Sequence, residues 1–227
     1  MRRIAFFGGT FDPPHRGHLA IAKSAADRFA LDSVLFAPVT RQPLKETAPS
    51  ASFLHRYAMT ALATEADPRF IPSLVDAPSE SGSNDRPNYT VETLKRLRGT
   101  LQASAHPFQL FTLLGADSWQ TIARWHDPLR LLSLSDWIVA SRPGICLSEI
   151  EVALPKGITA ESERDSCGCA LVLRHAGGGT TRVHLLDNLH EDVSATELRT
   201  GLQSGKLLSG MLPAAVAEYI AKTNLYR

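Results

Sequence analysis

The chain has 227 residues, 24 of them Lys or Arg and 23 Asp or Glu, for a formal net charge of +1. That length suits one α/β domain with a real core. The near-even charge balance excludes a polyanion-binding surface or an acidic tail, so a site for a charged small molecule has to be a local cluster. No apolar run is long enough to span a bilayer. The sequence passes from Met1-Arg2-Arg3 straight into a strand, and Gly8-Gly9 ends the apolar stretch too early for a signal peptide. A cytoplasmic protein that works away from membranes is expected. Three cysteines form no even framework, which agrees with a reducing compartment. Cys167-Gly168-Cys169, with His175 and His184 downstream, is spaced more tightly than structural zinc sites, and no bound metal is expected there.

Taken in chain order, residues 3–7 read as a buried strand and 20–29 as a helix. Residues 33–37 are a second strand and 38–49 a polar loop. A helix is expected over 52–64, with Leu54, Ala58, Ala61 and Leu62 at helical spacing. Residues 70–75 read as a third strand, and 79–87, rich in Ser, Gly, Asn and Asp, as a loop. Val91, Leu94 and Leu97 share one face of a helix over 90–98. The continuous apolar run 108–114 is a central strand and enters the turn Gly115-Ala116-Asp117-Ser118. Residues 137–140 form another short strand, closed by Arg142-Pro143-Gly144. From 147 to 181 the pattern dissolves, apart from a strand at 170–173. Residues 157–182 read as a glycine-rich insertion whose Gly177-Gly178-Gly179 is a mobile loop. A last strand at 183–186 precedes helices at 195–203 and 214–222, the latter started by Pro213. The alternation predicts an α/β fold: a Rossmann-like, doubly wound parallel sheet with flanking helices, in one domain.

The run Gly8-Gly9-Thr10-Phe11-Asp12-Pro13-Pro14-His15-Arg16-Gly17-His18 fills the first strand-to-helix turn, where α/β proteins hold phosphates. Glycines let the backbone approach a ligand, and the helix start is expected to offer unpaired N–H groups. His15 and His18, spaced i, i+3, fall on one face of the first turn. Two imidazoles beside helix N–H groups suit a multiply charged anion and point to nucleotide chemistry.

This run resembles the signature of the nucleotidylyltransferase superfamily, and its longer form is similar to the nicotinate mononucleotide adenylyltransferase family. The resemblance implies that His15 and His18 contact ATP phosphates as catalytic residues, that Gly8, Gly9, Phe11 and Gly17 belong to the ATP-binding turn, and that Thr10 lies near the acceptor nucleotide. Val193-Ser194-Ala195-Thr196-Glu197-Leu198-Arg199 fits a capping box, Ser194 with Glu197. It also resembles the family's second phosphate-binding signature, which gives Ser194 and Thr196 to ATP and Arg199 to catalysis. Gly115 and Asp117 are implied on the adenosine side. Tyr89, Thr90 and Trp125 are implied around the pyridine ring, with Asn88-Tyr89-Thr90 reading its carboxylate through main-chain N–H groups.

The loop 38–45 departs from the family. Lys45 is kept, a point charge suited to a phosphate of the mononucleotide, whereas the usual histidine is Leu44. Arg56 matches a family arginine and braces the loop instead of touching substrate. The implied reaction is adenylyl transfer from ATP to nicotinate mononucleotide, giving deamido-NAD and pyrophosphate without a covalent intermediate. Mg²⁺ travels with the ATP and needs few protein ligands. Alternative readings are the same chemistry on nicotinamide mononucleotide or phosphopantetheine, or a nucleotide-sensing module without turnover. No basic stripe or aromatic platform supports a nucleic-acid partner, and assembly into a homo-oligomer is left open.

Overall fold

The computed structural model describes residues 1–45, 47–78, 87–104, 106–141, 146–165, 168–187, 193–204 and 210–227. Among them, eight strands build one sheet: β1 (Arg2–Gly9), β2 (Ser33–Pro38), β3 (Phe70–Pro72), β4 (Phe108–Gly115), β5 (Asp136–Ala140), β6 (Thr159–Asp165), β7 (Gly168–Arg174) and β8 (Thr180–Leu186). Their order is β3-β2-β1-β4-β5-β8-β7-β6. Pairings from β3 through β8 are parallel, and the last two are antiparallel. Winding reverses between β1 and β4, which opens a crevice above their carboxyl ends. The doubly wound expectation holds.

The helices are α1 (Arg16–Arg28), α2 (Phe53–Thr64), α3 (Thr90–Ala103), α4 (Ala116–Trp119), α5 (Pro128–Leu132), α6 (Leu147–Val152), α7 (Ala195–Gln203) and α8 (Ala214–Thr223). Central strands are buried on both faces, so β1 carries an unbroken buried run, Ile4 to Phe7. One face packs under α3 to α6 around Leu94, Trp119, Leu131 and Ile150. The other packs under α1, whose Ala22, Ala25 and Ala26 recur at helical spacing and are small enough to let the helix sit close. A third cluster joins α2, α7 and α8 through Met59, Leu198 and Val216, and so ties the end of the chain to the crevice.

Three expectations need correction. Residues 157–182 are not a patternless insertion: β6, β7 and the start of β8 add two antiparallel strands to the sheet. Gly177 to Gly179 form the tight turn between β7 and β8, with Gly178 and Gly179 at φ +83° and +87°. The edge strand β6 is polar, and Glu161 and Glu163 pair across strands with Arg174 (2.8 Å) and Arg182 (3.2 Å), a charged edge that discourages pairing with another chain. Residues 147–152 form α6, where no regular element was expected. The third strand stops at Pro72, which has no N–H to continue the ladder. The expected loop at 79–87 lies outside the described residues except for Pro87, as do Cys167 and Arg142-Pro143-Gly144. Among the described residues, no helix is long and apolar enough to cross a membrane.

Candidate active site

The turn from β1 to α1 is built by packing. A Cβ on Gly8 would meet the Phe6 ring at 2.7 Å, and one on Gly9 the Phe11 ring at 3.1 Å, so both positions have to be small. Phe11 takes φ +48° and its ring is 1 % exposed. It stands edge-on to Phe7 and His18 with centroids 5.5 and 4.9 Å away. Its ring is packed away as a wedge behind His18, which leaves the main chain of Phe11 as its part in the turn. Helix α1 starts at Arg16, four residues earlier than expected, so His15 is its N-cap and His18 its third residue.

The main-chain N–H of His15 donates to His18 Nδ1 (3.2 Å), which leaves the proton of a neutral His18 on Nε2. The two rings lie 3.7 Å apart at 30°. Burial lowers the pKa of His15 to about 4. Burial, then the nearby His15 and Lys45, hold His18 well below its ordinary range. At neutral pH both act as uncharged donors rather than cations. The buried Nδ1 of His15 has no hydrogen-bond partner among the described residues. The open helix start expected here is partly closed: Arg16 N–H goes to Met211 O and His18 N–H to His15 O, both at 3.0 Å. Gly17 is buried in that first turn.

Three cations surround the turn. Arg56, 1 % exposed, donates from Nη1 to Thr10 O (2.7 Å) and from Nε to Ala51 O (3.1 Å). It braces the β1–α1 turn at Thr10 and the entry to α2 at Ala51, and not the loop 38–45 that the sequence suggests. Arg199 donates from Nη1 to Asp12 O (2.7 Å) and from Nη2 to Thr196 Oγ1 (3.2 Å). The Lys45 ammonium is held below its ordinary range by desolvation and by Arg199, with Asp12 pulling it the other way. Ser194 is the N-cap of α7, yet its side chain makes no capping bond. The capping box is thus not formed, and the exposed Ser194 and Thr196 stand at a helix start whose first N–H groups have no intrahelical partner.

A cavity of about 270 Å³ opens beside this turn, between β1, β2, β4 and the start of α3. Gly8, Gly9, Tyr89, Thr90 and Trp125 line it, as do Leu44, Arg124 and His126, with no acidic side chain among the described residues. Trp125 is half-buried and its Nε1–H is tied to Thr121 Oγ1 (3.0 Å), which fixes the indole plane. Tyr89 stacks on His126 with centroids 4.2 Å apart. Asn88 is a clamp: its Oδ1 accepts from Thr40 N–H (2.8 Å) and Arg41 N–H (3.2 Å), and its Nδ2 donates to Asp76 O (3.2 Å). These bonds join the loop carrying Leu44 and Lys45 to the start of α3. Thr10 does not line the cavity; its hydroxyl bonds Gln42 Oε1 (3.3 Å) at the border.

Gly115 ends β4 on the far side of the crevice, where a Cβ would meet nothing within 4 Å. Asp117 is exposed in the first turn of the four-residue α4. Asn88, expected as part of a carboxylate-reading segment, has a side chain that holds the loop instead, and Arg124 and His126 join Trp125 in the cavity wall. The juxtaposition of cations, neutral imidazoles and helix N–H groups suits phosphates. The adjoining aromatic cavity suits a flat ring carrying negative charge.

Comparison with known proteins agrees with this division. The cytidylyltransferase-like family profile matches residues 6–201. A probable nicotinate-nucleotide adenylyltransferase of Citrifermentans bemidjiense is 33 % identical over 99 % of this chain and 98 % of its own length. The one from Moorella thermoacetica is 34 % identical over 99 % and 92 %. The fold is shared with Plasmodium falciparum nicotinic acid mononucleotide adenylyltransferase complexed with NaAD, at TM-score 0.70 and 18 % identity over 100 % of this chain and 98 % of that one. The chain belongs to the cytidylyltransferase-like family and, within it, to the nicotinate-nucleotide adenylyltransferases.

Proposed function

We propose that the crevice transfers the adenylyl group of ATP to the phosphate of nicotinate mononucleotide, releasing pyrophosphate and forming deamido-NAD in NAD biosynthesis. The observation that carries this reading is the cavity lined by Tyr89, Thr90 and Trp125, which opens directly beside the two-histidine turn. A mononucleotide seated with its ring in that cavity presents its phosphate toward Lys45 and Thr10. The phosphate oxygen attacks the α-phosphorus of ATP in line as the bond to pyrophosphate breaks, with no enzyme nucleophile.

Such a transition state is stabilised by positioned donors and charge. His18 Nε2–H and His15 serve the ATP phosphates as donors that need not lose a proton. Arg199, Ser194, Thr196 and the N–H groups of α7 hold the leaving pyrophosphate. Gly8, Gly9, Phe11 and Gly17 contribute the backbone of the turn, and Gly115 and Asp117 the adenosine side. Tyr89 and Thr90 sit where the first N–H groups of α3 lack intrahelical partners, a fit for the ring carboxylate, while Trp125 stacks on the ring. Arg124 adds positive character to the same cavity and favours the acid over the amide.

Magnesium would enter with ATP and lower the charge of its phosphates. Asp12, the buried carboxylate behind the turn, is committed to Ser50, Ala51 and Tyr226 and would not hold it. The exposed thiols of Cys146 and Cys169 suit a reducing compartment, and the reading places the enzyme in the cytoplasm. The reverse reaction tests it: incubation with deamido-NAD, pyrophosphate and Mg²⁺ yields ATP and nicotinate mononucleotide in equal amounts. Absence of ATP formation together with no forward turnover would refute the assignment.

A further inference from the structure

Asp12 is 3 % exposed and accepts three hydrogen bonds: from Ser50 N–H (2.6 Å), Ala51 N–H (3.1 Å) and the hydroxyl of Tyr226. Its own carbonyl is the anchor for Arg199 Nη1 (2.7 Å). Side chain and main chain of one residue thus connect Tyr226, far along the sequence, to the guanidinium beside the phosphate turn.

The chain adopts a costly path to make this contact. After α8, Asn224 takes φ +52° and Tyr226 φ +65°, and a bulky residue with positive φ is held there only by its surroundings. Leu225 N–H closes the helix on Ile220 O (3.2 Å), and the turn delivers the half-buried phenol to Asp12. Burial and the neighbouring Asp12 push the Tyr226 pKa well above its ordinary value, so the hydroxyl keeps its proton and stays a donor at any working pH. Asp12 also attracts Lys45 and Arg56. It is therefore the counter-charge for two of the cations around the turn, while its carbonyl holds the third, Arg199.

We propose that Tyr226 is a positioning residue for the ATP side of the site: it fixes Asp12, whose carbonyl aims Arg199. The proposal rests on the reading that the β1–α1 turn and α7 bind ATP. Neither Tyr226, Asp12 nor Arg199 lines the aromatic cavity, so the effect is confined to one substrate.

Two readouts test it in Tyr226→Phe: calorimetric binding of Mg-ATP, and the KM values for both substrates. Loss of a hydrogen bond to a charged group is expected to weaken ATP binding and raise its KM about tenfold. The KM for nicotinate mononucleotide should stay within about twofold. Tyr219→Phe is the control, because it removes an α8 hydroxyl bonded to His55 of α2 (2.8 Å) without touching Asp12; ATP binding should be unchanged. If Tyr226→Phe does not fold, Asp12→Asn is read on calorimetric ATP binding alone, which should weaken likewise, because Asp12 also faces Lys45 on the mononucleotide side. In the folded case, the double variant is no worse than either single one. Unchanged ATP binding in Tyr226→Phe, or an equal loss in Tyr219→Phe, would overturn the proposal. A wild-type protein that binds ATP without releasing pyrophosphate would refute the proposed reaction, and the binding comparison would still decide the role of Tyr226. A wild-type protein that does not bind ATP would overturn both.

Discussion

The main-chain N–H of His15 donates to Nδ1 of His18 at 3.2 Å, while the two imidazoles face each other at 3.7 Å. That bond makes His18 an acceptor toward its own helix and a donor, through Nε2, away from it. The wedge of Phe11 behind the ring, with centroids 4.9 Å apart, keeps it from rotating. The ring thus holds a preset N–H at the β1–α1 side of the crevice.

His18→Ala removes that donor. Loss of one preorganised transition-state contact is expected to lower kcat by at least about two orders of magnitude. Far-ultraviolet circular dichroism should remain that of the wild type. Turnover within a few-fold of wild type would place His18 outside the chemistry.

Burial of the imidazoles has a consequence for stability. His15 has a folded pKa of about 4 against an ordinary 6.5. Between those values the unfolded chain binds more protons than the folded one, so stability rises with pH and is lost as pH falls from about 6.5 through 4. The loss reaches about 3 kcal/mol for His15 alone, with His18 adding in the same direction. Buried Asp76, whose carboxyl is raised by desolvation, works in the opposite sense, so the comparison of wild type with His15→Gln isolates the effect. Urea denaturation at pH 7 and pH 4.5 should show a smaller acid penalty in the variant. An equal penalty in both would refute the assignment.

Trp125→Ala opens the aromatic cavity and frees Thr121 Oγ1. The KM for the mononucleotide should rise about tenfold, the order expected for one lost aromatic stacking partner, while the KM for ATP stays near wild type. Equal shifts in both constants would make Trp125 a purely structural residue.

Arg56→Lys tests the brace. A lysine cannot reproduce the fork that serves Thr10 O and Ala51 O together. One carbonyl in a buried setting is then left unpaired, at a cost of about 2 kcal/mol. A urea midpoint shift of that size, with unchanged slope, is the expected result; no shift would contradict the role.

The phosphate turn was legible because strand, glycines and histidines are contiguous, so one stretch of sequence carries both the local structure and its chemistry. The central strands were legible for a related reason: burial on both faces, as in β1 and β4, leaves continuous apolar runs. Elements defined by their partners were not. β6, with Glu161 and Glu163 on a polar edge, has almost no apolar signal and is held by pairing with β7 and by ion pairs to Arg174 and Arg182. The same holds at the site. Nothing local in Asp12, Asn88 or Tyr226 announces that each is spent on a main-chain or side-chain partner far away in sequence. The Ser194 capping box failed as a local reading because the hydroxyl stays out of its cap, and the burial of the Phe11 ring is set by tertiary packing that no local pattern shows.

The most direct measurement is pyrophosphate release with ATP and Mg²⁺, run in parallel with nicotinate mononucleotide and nicotinamide mononucleotide. A cavity with the Arg124 guanidinium, helix N–H groups at Thr90 and no acidic lining among the described residues predicts rapid release with the acid and little with the amide. Equal rates would contradict carboxylate recognition in that cavity, and silence with both would contradict adenylyl transfer to a pyridine nucleotide.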